Sequence, residues 1–309
     1  MNARVLAGSV LAVLGLALGV WWLESNSLGS DLRAGQAAVD AGRPDLAEAA
    51  FRRALTRDPD NEQAMYGIGW AWHMAGQEDQ AREAFKLLQE VHPESPLGYK
   101  GIGSVWMAQG NVKEAKVAFE RALKAAGPVP AAGQGGCGGE SPGSDPSAIE
   151  NSLALLALSQ RDGAAALASY EALLQREPER AEFLQGRAEA LLLLGRDDDA
   201  LAASVEAVQR SAGLSGAGGT RVMAMALLTH ARALIAVSGG RVDTTRCSET
   251  ATPVYAWLDE ADRDLDKAEA LGMSVPSIQG VRRTVLDRRA RVDDDCPGQR
   301  AVAMPPRDK

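Results

Sequence analysis

The sequence predicts an all-α protein in which antiparallel helical hairpins stack behind an N-terminal transmembrane helix. Three observations carry this prediction. Residues 5–23 contain no charged side chain, a set of small and aromatic residues recurs every 34 positions, and aromatic residues make up only 5% of a chain that is 46% hydrophobic. A chain with many alanines and so little aromatic bulk favours closely packed helices over β-sandwiches.

The uncharged segment at the start of the chain is long enough to cross a bilayer. As a helix, residues 5–23 rise by about 28 Å, close to the thickness of the hydrocarbon core. Trp21 and Trp22 stand where an interfacial aromatic belt belongs, and Arg4 precedes the span. Because positive charge stays inside, we predict that residues 1–27 are a signal-anchor in a bacterial inner membrane, with the bulk of the chain on the periplasmic side.

Two alternatives stay open for this segment. A cleaved signal peptide would also begin the chain with an apolar stretch, although this one is long for that role and no A-x-A cleavage site follows it. A reversed topology would leave the rest of the chain in the cytoplasm. Gly15 and Gly19 form a GxxxG pair, a spacing that lets two membrane helices approach closely, so the segment also predicts a homodimer contact.

A repeat begins after the anchor. The stretch YGIGWAW at residues 66–72 returns as YKGIGSVW at 99–106, with a period of 34 residues. A fixed period of this length indicates a repeat architecture. Three copies cover about residues 28–127, and two weaker copies cover 147–180 and 181–212. The recurring positions are a small residue in the first helix (Gly35, Gly69, Gly103) and an aromatic residue in the second (Phe51, Phe85, Phe119, Tyr170), with Ser204 in its place in the fifth copy.

This pattern resembles the tetratricopeptide-repeat family, in which a small residue in the first helix is followed by Ala, an aromatic residue and Ala in the second helix, and by Pro after it. The resemblance implies a right-handed α-solenoid of helical hairpins whose first helices line a concave groove for proteins or peptides. The predicted organisation is repeats 1–3 at 28–126, a flexible Gly/Pro-rich loop at 127–146, repeats 4–5 at 147–212, a degenerate sixth repeat with a capping helix at 213–292, and a disordered tail at 293–309.

The glycine-rich stretch from Gly98 to Gly110 invites comparison with a phosphate-binding loop. Such a loop needs a strand before its glycines and a helix after them, whereas this stretch begins the third repeat. Gly101 and Gly103 fall within the first helix of that repeat, where Gly103 takes the small-residue packing position. We therefore interpret these glycines as spacers that let neighbouring helices approach.

The resemblance also carries the inner, groove-facing positions onto this sequence. They are Tyr66, Trp70 and His73 in the second copy, Lys100, Ser104 and Met107 in the third, Asn151 and Leu155 in the fourth, and Gln185 and Glu189 in the fifth. Tyr66 and Trp70 are one helical turn apart, so they can form one aromatic patch, typical of a binding hot spot. The alternative, in which Trp70 only packs against a neighbouring helix, stays open. The Lys, Arg and Asn cluster with which some family members grip a carboxyl terminus is incomplete here.

Two features of the tail have structural and functional readings. Cys247 precedes one predicted helix and Cys296 follows the next, so an antiparallel hairpin would bring them together, and outside the cytoplasm we predict a disulfide between them. Five arginines lie in the last helix. They either form a patch for an anionic lipid or polymer or are the solvated face of a capping helix, and we favour the capping interpretation. They are Arg282, Arg283, Arg288, Arg289 and Arg291.

Charge and composition exclude several classes of function. The net charge of -8 argues against nucleic-acid binding, which relies on clustered Lys and Arg. The three cysteines and three histidines are widely scattered, and no catalytic motif stands out, so we expect no metal, no cofactor and no enzyme activity. The sequence predicts a non-catalytic, membrane-anchored scaffold or adaptor for assembly of a cell-envelope complex of the pilus, secretion or cytochrome-maturation type. A permanent structural subunit of a larger membrane complex and a cytoplasm-facing regulatory adaptor remain alternatives.

Overall fold

The computed structural model describes residues 27–127, 145–239 and 241–299. Within these ranges every regular element is a helix, which confirms the all-α prediction. The helices are α1 Leu28–Asp40, α2 Pro44–Arg57, α3 Glu62–Met74, α4 Glu78–Val91, α5 Pro96–Ala108, α6 Val112–Ala126, α7 Pro146–Ser159, α8 Gly163–Arg176, α9 Ala181–Leu193, α10 Asp197–Ser211, α11 Gly216–Ser238, α12 Cys247–Ala270 and α13 Val275–Asp295. The predicted anchor, its Gly15–Gly19 pair, most of the predicted loop and the chain end lie outside the described residues.

The helices fall into two compact units, unit 1 with α1–α6 and unit 2 with α7–α13. In unit 1 each hairpin turns on a glycine in the left-handed region, with φ of 66° at Gly42, 73° at Gly76 and 76° at Gly110. This conformation suits glycine and closes the C-terminus of the first helix. In unit 2 the corresponding turn after α7 uses Arg161 at φ 60°. The loop positions of the repeat thus follow from backbone sterics.

In the interior of unit 1, phenylalanine rings pack directly against glycines of neighbouring helices. A methyl group at Gly35 would lie 2.6 Å from the ring of Phe51, and one at Gly67 would lie 2.4 Å from it. Gly103 stands 34 residues after Gly69, and its methyl group would come within 2.6 Å of the Phe119 ring. The glycines are therefore close-approach sites for helices, which confirms their interpretation as spacers.

In unit 2 the repeat positions of these phenylalanines are occupied by residues with a hydroxyl group. Tyr170 is fully buried over Gly186, where an added methyl group would come within 2.1 Å of the ring. Its hydroxyl has no hydrogen-bond partner within the described part of the chain. Ser204 occupies the aromatic position of the fifth repeat, is also buried, and donates its hydroxyl to the carbonyl of Leu201 at 2.8 Å. The serine side chain is too small to fill the space of a ring, and its hydroxyl finds a hydrogen-bond acceptor on its own helix.

The tail of unit 2 is more helical than the sequence analysis predicts. The sequence predicts a polar break between helices at residues 238–252, but this break ends earlier, because α12 begins at Cys247 and continues through Pro253. Ala251 and Val254, on either side of the proline, are fully buried, so core packing outweighs the hydrogen bond that the proline cannot donate. The last helix runs to Asp295, beyond its expected end at residue 292.

A disulfide joins the two ends of the α12–α13 hairpin. The structure links Cys247 to Cys296, the pair named from the sequence, with their Cα atoms 5.4 Å apart. Beside this bond, the Tyr255 hydroxyl donates to Asp293 at 2.5 Å. These contacts hold the C-terminal end of α13, where the sequence predicts fraying.

Most of the predicted arginine face of α13 is engaged within unit 2. Arg282 pairs with Asp266 at 2.8 Å. Arg289 pairs with two carboxylates of α12, Asp259 and Asp262, both at 2.5 Å. Arg288 donates to the carbonyls of Ser238 and Gly239 at the end of α11. These three arginines fasten a capping helix, which agrees with the favoured interpretation.

One described segment, Gly218–Ser238 in α11, is long and apolar enough to cross a membrane by composition. Its residues Leu227, Leu228 and Ala231 are buried in the core of unit 2, together with Leu258 of α12. This burial is the behaviour of a core helix.

Candidate functional site

Three predicted groove residues form a continuous row of rings along α3. The rings of Tyr66 and Trp70 stack with centroids 6.2 Å apart and planes inclined by 18°. Trp70 then meets His73 with centroids 5.1 Å apart. The spacing of four and three residues keeps all three on one helix face. The structure therefore builds the patch that the sequence predicts and extends it by one ring.

The row is half-buried, with one edge in the core. Tyr66 tilts onto Phe85 of α4 with ring centroids 5.6 Å apart. Trp70 packs against the apolar clusters of the first and second hairpins. Burial raises the pKa of the Tyr66 phenol. A phenol is protonated at neutral pH even without this shift, and it can donate a hydrogen bond. Trp70 thus packs against neighbouring helices and still presents part of its ring to solvent.

His73 is oriented by the first turn of α4. Its Nδ1 lies 2.8 Å from a carboxylate oxygen of Glu78. A carboxylate only accepts hydrogen bonds, so Nδ1 carries the hydrogen. The contact fixes the ring plane against Trp70 and leaves Nε2 on the other side of the ring.

A small pocket lies beside the ring row, between α1, α2 and α3. Its volume is about 160 Å³, below the roughly 300 Å³ at which small-molecule sites begin. Its lining combines ring faces with the amides of Gln36 and Gln63; the other lining residues are Val39, Phe51, Tyr66, Gly67 and Trp70. Gln36 donates to Asp40 at 2.9 Å, so its amide is held in place. The pocket suits one side chain of a peptide, with amides available for its backbone.

The predicted groove residues on α5 differ in what they can offer. Lys100 and Met107 are half-buried. Ser104 is only 7% exposed, and its hydroxyl donates to the carbonyl of Lys100 at 3.1 Å. A serine that bonds to the preceding helical turn has its donor occupied. Ser104 therefore contributes packing to this face, and the prediction that it binds a partner loses its main physical basis.

The remaining predicted residues lie in unit 2 on α7, where Asn151 is half-buried and Leu155 is exposed. The inner positions of α9 form a hydrogen-bonded cluster with α11. Thr229 donates to Glu189 at 2.8 Å, Arg232 pairs with the same carboxylate at 2.9 Å, and Gln185 donates to Thr229 at 3.2 Å. The α11 partners could not be predicted from the repeat pattern because that helix lacks the repeat signature, although Gln185 and Glu189 indicated a polar surface there.

The described residues contain no group of three or more His, Cys, Asp or Glu side chains placed to hold a metal ion. His230 and Asp264 form a pair at 2.6 Å between α11 and α12. Both are buried, at 7% and 4% exposure, and Lys267 lies 3.6 Å from the same carboxylate. A pair so enclosed joins helices and is out of reach of a substrate.

Comparison with known proteins gives the fold an independent reference. A family model described as tetratricopeptide repeat matches residues 32–98 and 151–215. No curated protein sequence matches the chain. The crystal structure of PilW, a widely conserved type IV pilus biogenesis factor, is similar with a TM-score of 0.54 and 17% identity, over 82% of this chain and 97% of PilW. A chain of the APC/C hetero-tetramer Cut9–Hcn1 gives a TM-score of 0.57 and 14% identity, over 91% of this chain and 47% of that one.

Proposed function

This chain belongs to the tetratricopeptide-repeat family, and from that premise we propose that it is an adaptor that binds a peptide segment of a partner protein along the inner face of α3. The family consists in general of non-catalytic scaffolds for protein–protein interaction. The observation that carries the proposal is the row of Tyr66, Trp70 and His73 beside the pocket of Gln36 and Gln63.

The row offers apolar area and hydrogen-bonding groups to which a peptide can bind without being chemically altered. Stacked rings offer apolar area at a small cost in side-chain entropy, and such residues dominate the energy of protein interfaces. The phenol of Tyr66 and the amides of the two glutamines can hydrogen-bond a peptide backbone. A peptide side chain would enter the pocket while its backbone follows the ring row.

The row is also preorganised. Phe85 supports Tyr66 from below, and Glu78 fixes His73. A binding surface whose side chains are already held in place loses little entropy when its partner arrives. Rigid support is therefore a further reason to propose binding at this face.

We further propose that the adaptor is anchored in a membrane through residues 5–23 and works outside the cytoplasm in assembly of a cell-envelope complex. The support is the uncharged span with Trp21 and Trp22 at its end and Arg4 before it. A disulfide between Cys247 and Cys296 suits an oxidising compartment. The likeness in fold to a pilus biogenesis factor makes pilus assembly the first setting to test.

Exchange of the ring row tests the adaptor function. The full-length chain, purified in mild detergent from its own membranes, should lose its co-purifying partner when Tyr66→Ala and Trp70→Ala are combined. The matched control is Leu87→Ala, an apolar truncation at a residue of α4 that is 53% exposed. Circular dichroism must show intact helices in both variants. A partner retained by the folded ring-row variant would instead favour the permanent structural subunit.

Topology has a separate test. A reporter fused after Lys309 should give signal only from the periplasmic side. Signal from the cytoplasmic side would overturn the proposed orientation and favour the cytoplasm-facing adaptor, without bearing on binding by α3.

A further inference from the structure

A second groove lies on the other side of α5, between α4 and α6. Its floor is Tyr99, Ile102 and Trp106, and its wall on α6 is Lys113, Glu114, Val117 and Arg121, around a volume of about 350 Å³. Ile102 and Trp106 each follow an inner position of α5 by two residues, which turns them about 200° around the helix. This outer groove is therefore a surface distinct from the ring row.

The floor of the outer groove is apolar and fixed. Its three residues are half-buried, and Val117 at its edge is 48% exposed. The guanidinium of Arg82 stands over the Trp106 ring at 5.2 Å and is held by Asp79 at 2.5 Å. A cation over an indole face stabilises the ring in one orientation. The groove thus offers a preformed apolar surface.

The wall of the outer groove is basic. Lys113 and Arg121 are exposed, and neither has an ion-pair partner within the described part of the chain. They are eight residues apart on α6, which places them about 12 Å from each other along the helix. Glu114 is the one acidic side chain in the lining. In a chain with a net charge of -8, a wall with two unpaired cations departs from the average surface.

The preceding repeat shows that this charge is not a general property of the hairpin. The positions 34 residues earlier than Lys113, Val117 and Arg121 are occupied by Asp79, Glu83 and Leu87. The earlier floor is also more closed at two of its three positions: Met65 and Ile68 are 7% and 8% exposed, whereas Tyr99 and Ile102 are half-buried. Trp72, at the third position, is half-buried like Trp106. Of these two repeats, the third combines a half-buried apolar floor with a basic wall, and the second does not.

We propose that the outer groove docks an acidic amphipathic segment of a partner protein. Apolar side chains of the segment would cover Tyr99, Ile102 and Val117, and its carboxylates would pair with Lys113 and Arg121. Charge complementarity selects the segment and raises its rate of association, while the apolar floor supplies most of the affinity. Because this surface lies away from the ring row, the proposal does not depend on binding at α3.

The proposal is tested with two synthetic 15-residue peptides that carry leucines at helical spacing. One has glutamates at the remaining positions and the other has lysines, and binding to the full chain in detergent is followed by fluorescence anisotropy. The acidic peptide should bind and the basic peptide should not. Combined Lys113→Glu and Arg121→Glu should lower the affinity for the acidic peptide by about tenfold, and Val117→Asp should lower it as well.

The matched control is Lys124→Glu, compared with Lys113→Glu alone, because each variant makes one charge reversal at an exposed residue of α6 and Lys124 lies outside the groove. It should leave the acidic peptide within about twofold of its original affinity. Equal binding of both peptides, or equal loss in the control and groove variants, would overturn the proposal. So would self-association of the chain that the groove variant abolishes in sedimentation, because the occupant would then be a second copy.

Discussion

In unit 1 the layer between neighbouring helices is filled by phenylalanines over glycines, whereas in unit 2 the corresponding positions hold Tyr170 and Ser204. Unit 2 adds a disulfide and a set of arginine–carboxylate pairs on α12 and α13. One repeat architecture is thus stabilised in two ways. Unit 1 depends on close apolar packing, and unit 2 depends more on covalent and polar connections in its tail.

The difference extends to the inner surfaces. The inner face of α3 presents stacked rings beside an open pocket, and the inner residues Glu189 and Arg232 of unit 2 are already paired with each other. A carboxylate that is already paired interacts less favourably with a new binding partner than an unoccupied ring face does. The comparison therefore favours unit 1 as the binding unit and unit 2 as the more structural one.

The largest expected effect tests the covalent connection in unit 2. Combined Cys247→Ala and Cys296→Ala should lower the free energy of unfolding of this unit by about 4 kcal/mol, because the bond spans 49 residues and restricts the unfolded chain. Hydrogen exchange of α12 and α13 should accelerate while α3–α5 keep their protection. Equal acceleration of hydrogen exchange in both units would contradict the comparison, because the disulfide would then stabilise unit 1 as much as unit 2.

The next effect tests close packing in unit 1. Gly101→Ala should destabilise the protein by about 2 kcal/mol, because its methyl group would lie 2.3 Å from the buried Phe85 ring. The matched control is Gly280→Ala in α13, where nothing lies within 4 Å of the new methyl group. There the higher helix propensity of alanine should stabilise by about 0.5 kcal/mol or more. Thermal melts that shift in the same direction for both would contradict the account of unit 1.

A polar exception within unit 1 gives a pH-dependent effect. Burial by itself raises the pKa of Asp31, but hydrogen bonds and charge from Arg53 and Arg57, both at 2.9 Å, leave the pKa below its ordinary value of 3.8. A lowered pKa contributes stability that is present above 3.8 and is lost as the pH falls through the folded value. Asp31→Asn should cost about 1 kcal/mol at pH 7.

This difference between Asp31→Asn and the unaltered chain should shrink as the carboxylate is protonated. Urea unfolding at pH 7 and at successively lower pH, with Asp45→Asn as an exposed acidic control in α2, measures it. A difference that stayed constant through the acid range would assign the effect to packing instead of charge.

The smallest effect tests the polar substitution in the core of unit 2. Tyr170→Phe removes a buried hydroxyl that has no partner among the described residues, so it should stabilise by about 0.5 kcal/mol. The reverse change in unit 1, Phe85→Tyr, should destabilise, since it places a new hydroxyl in an apolar layer. Chemical denaturation of the two variants compares them directly, and a loss of stability in Tyr170→Phe would mean that the hydroxyl is satisfied.

The repeat fold and the ring pair of the candidate site could be predicted from the periodicity of the sequence. The 34-residue period defines the hairpins, and the four-residue spacing of Tyr66 and Trp70 defines a ring pair. Periodicity assigns a position to a face but does not report what its polar atom does. Ser104 stands at an inner position, yet its hydroxyl bonds to its own helix.

Other features required contacts that no local pattern encodes. The passage of α12 through Pro253 depends on burial of its neighbours, and the pairing of Glu189 with Arg232 depends on how α11 packs against α9. The outer groove combines residues of three helices whose individual sequences show only ordinary exposed charge and apolar spacing.

Site-specific photocrosslinking in intact cells tests the central claim, that the inner face of α3 binds a partner segment. A photoreactive amino acid replaces Gln63 at the rim of the ring-row pocket, or Leu87 on the exposed surface of α4 as the control. The account predicts that Gln63 gives one adduct, mapped by mass spectrometry to a single segment of one partner, and that Tyr66→Ala with Trp70→Ala abolishes it. Adducts of equal yield from both positions, or an adduct at Gln63 that survives loss of the rings, would contradict the account.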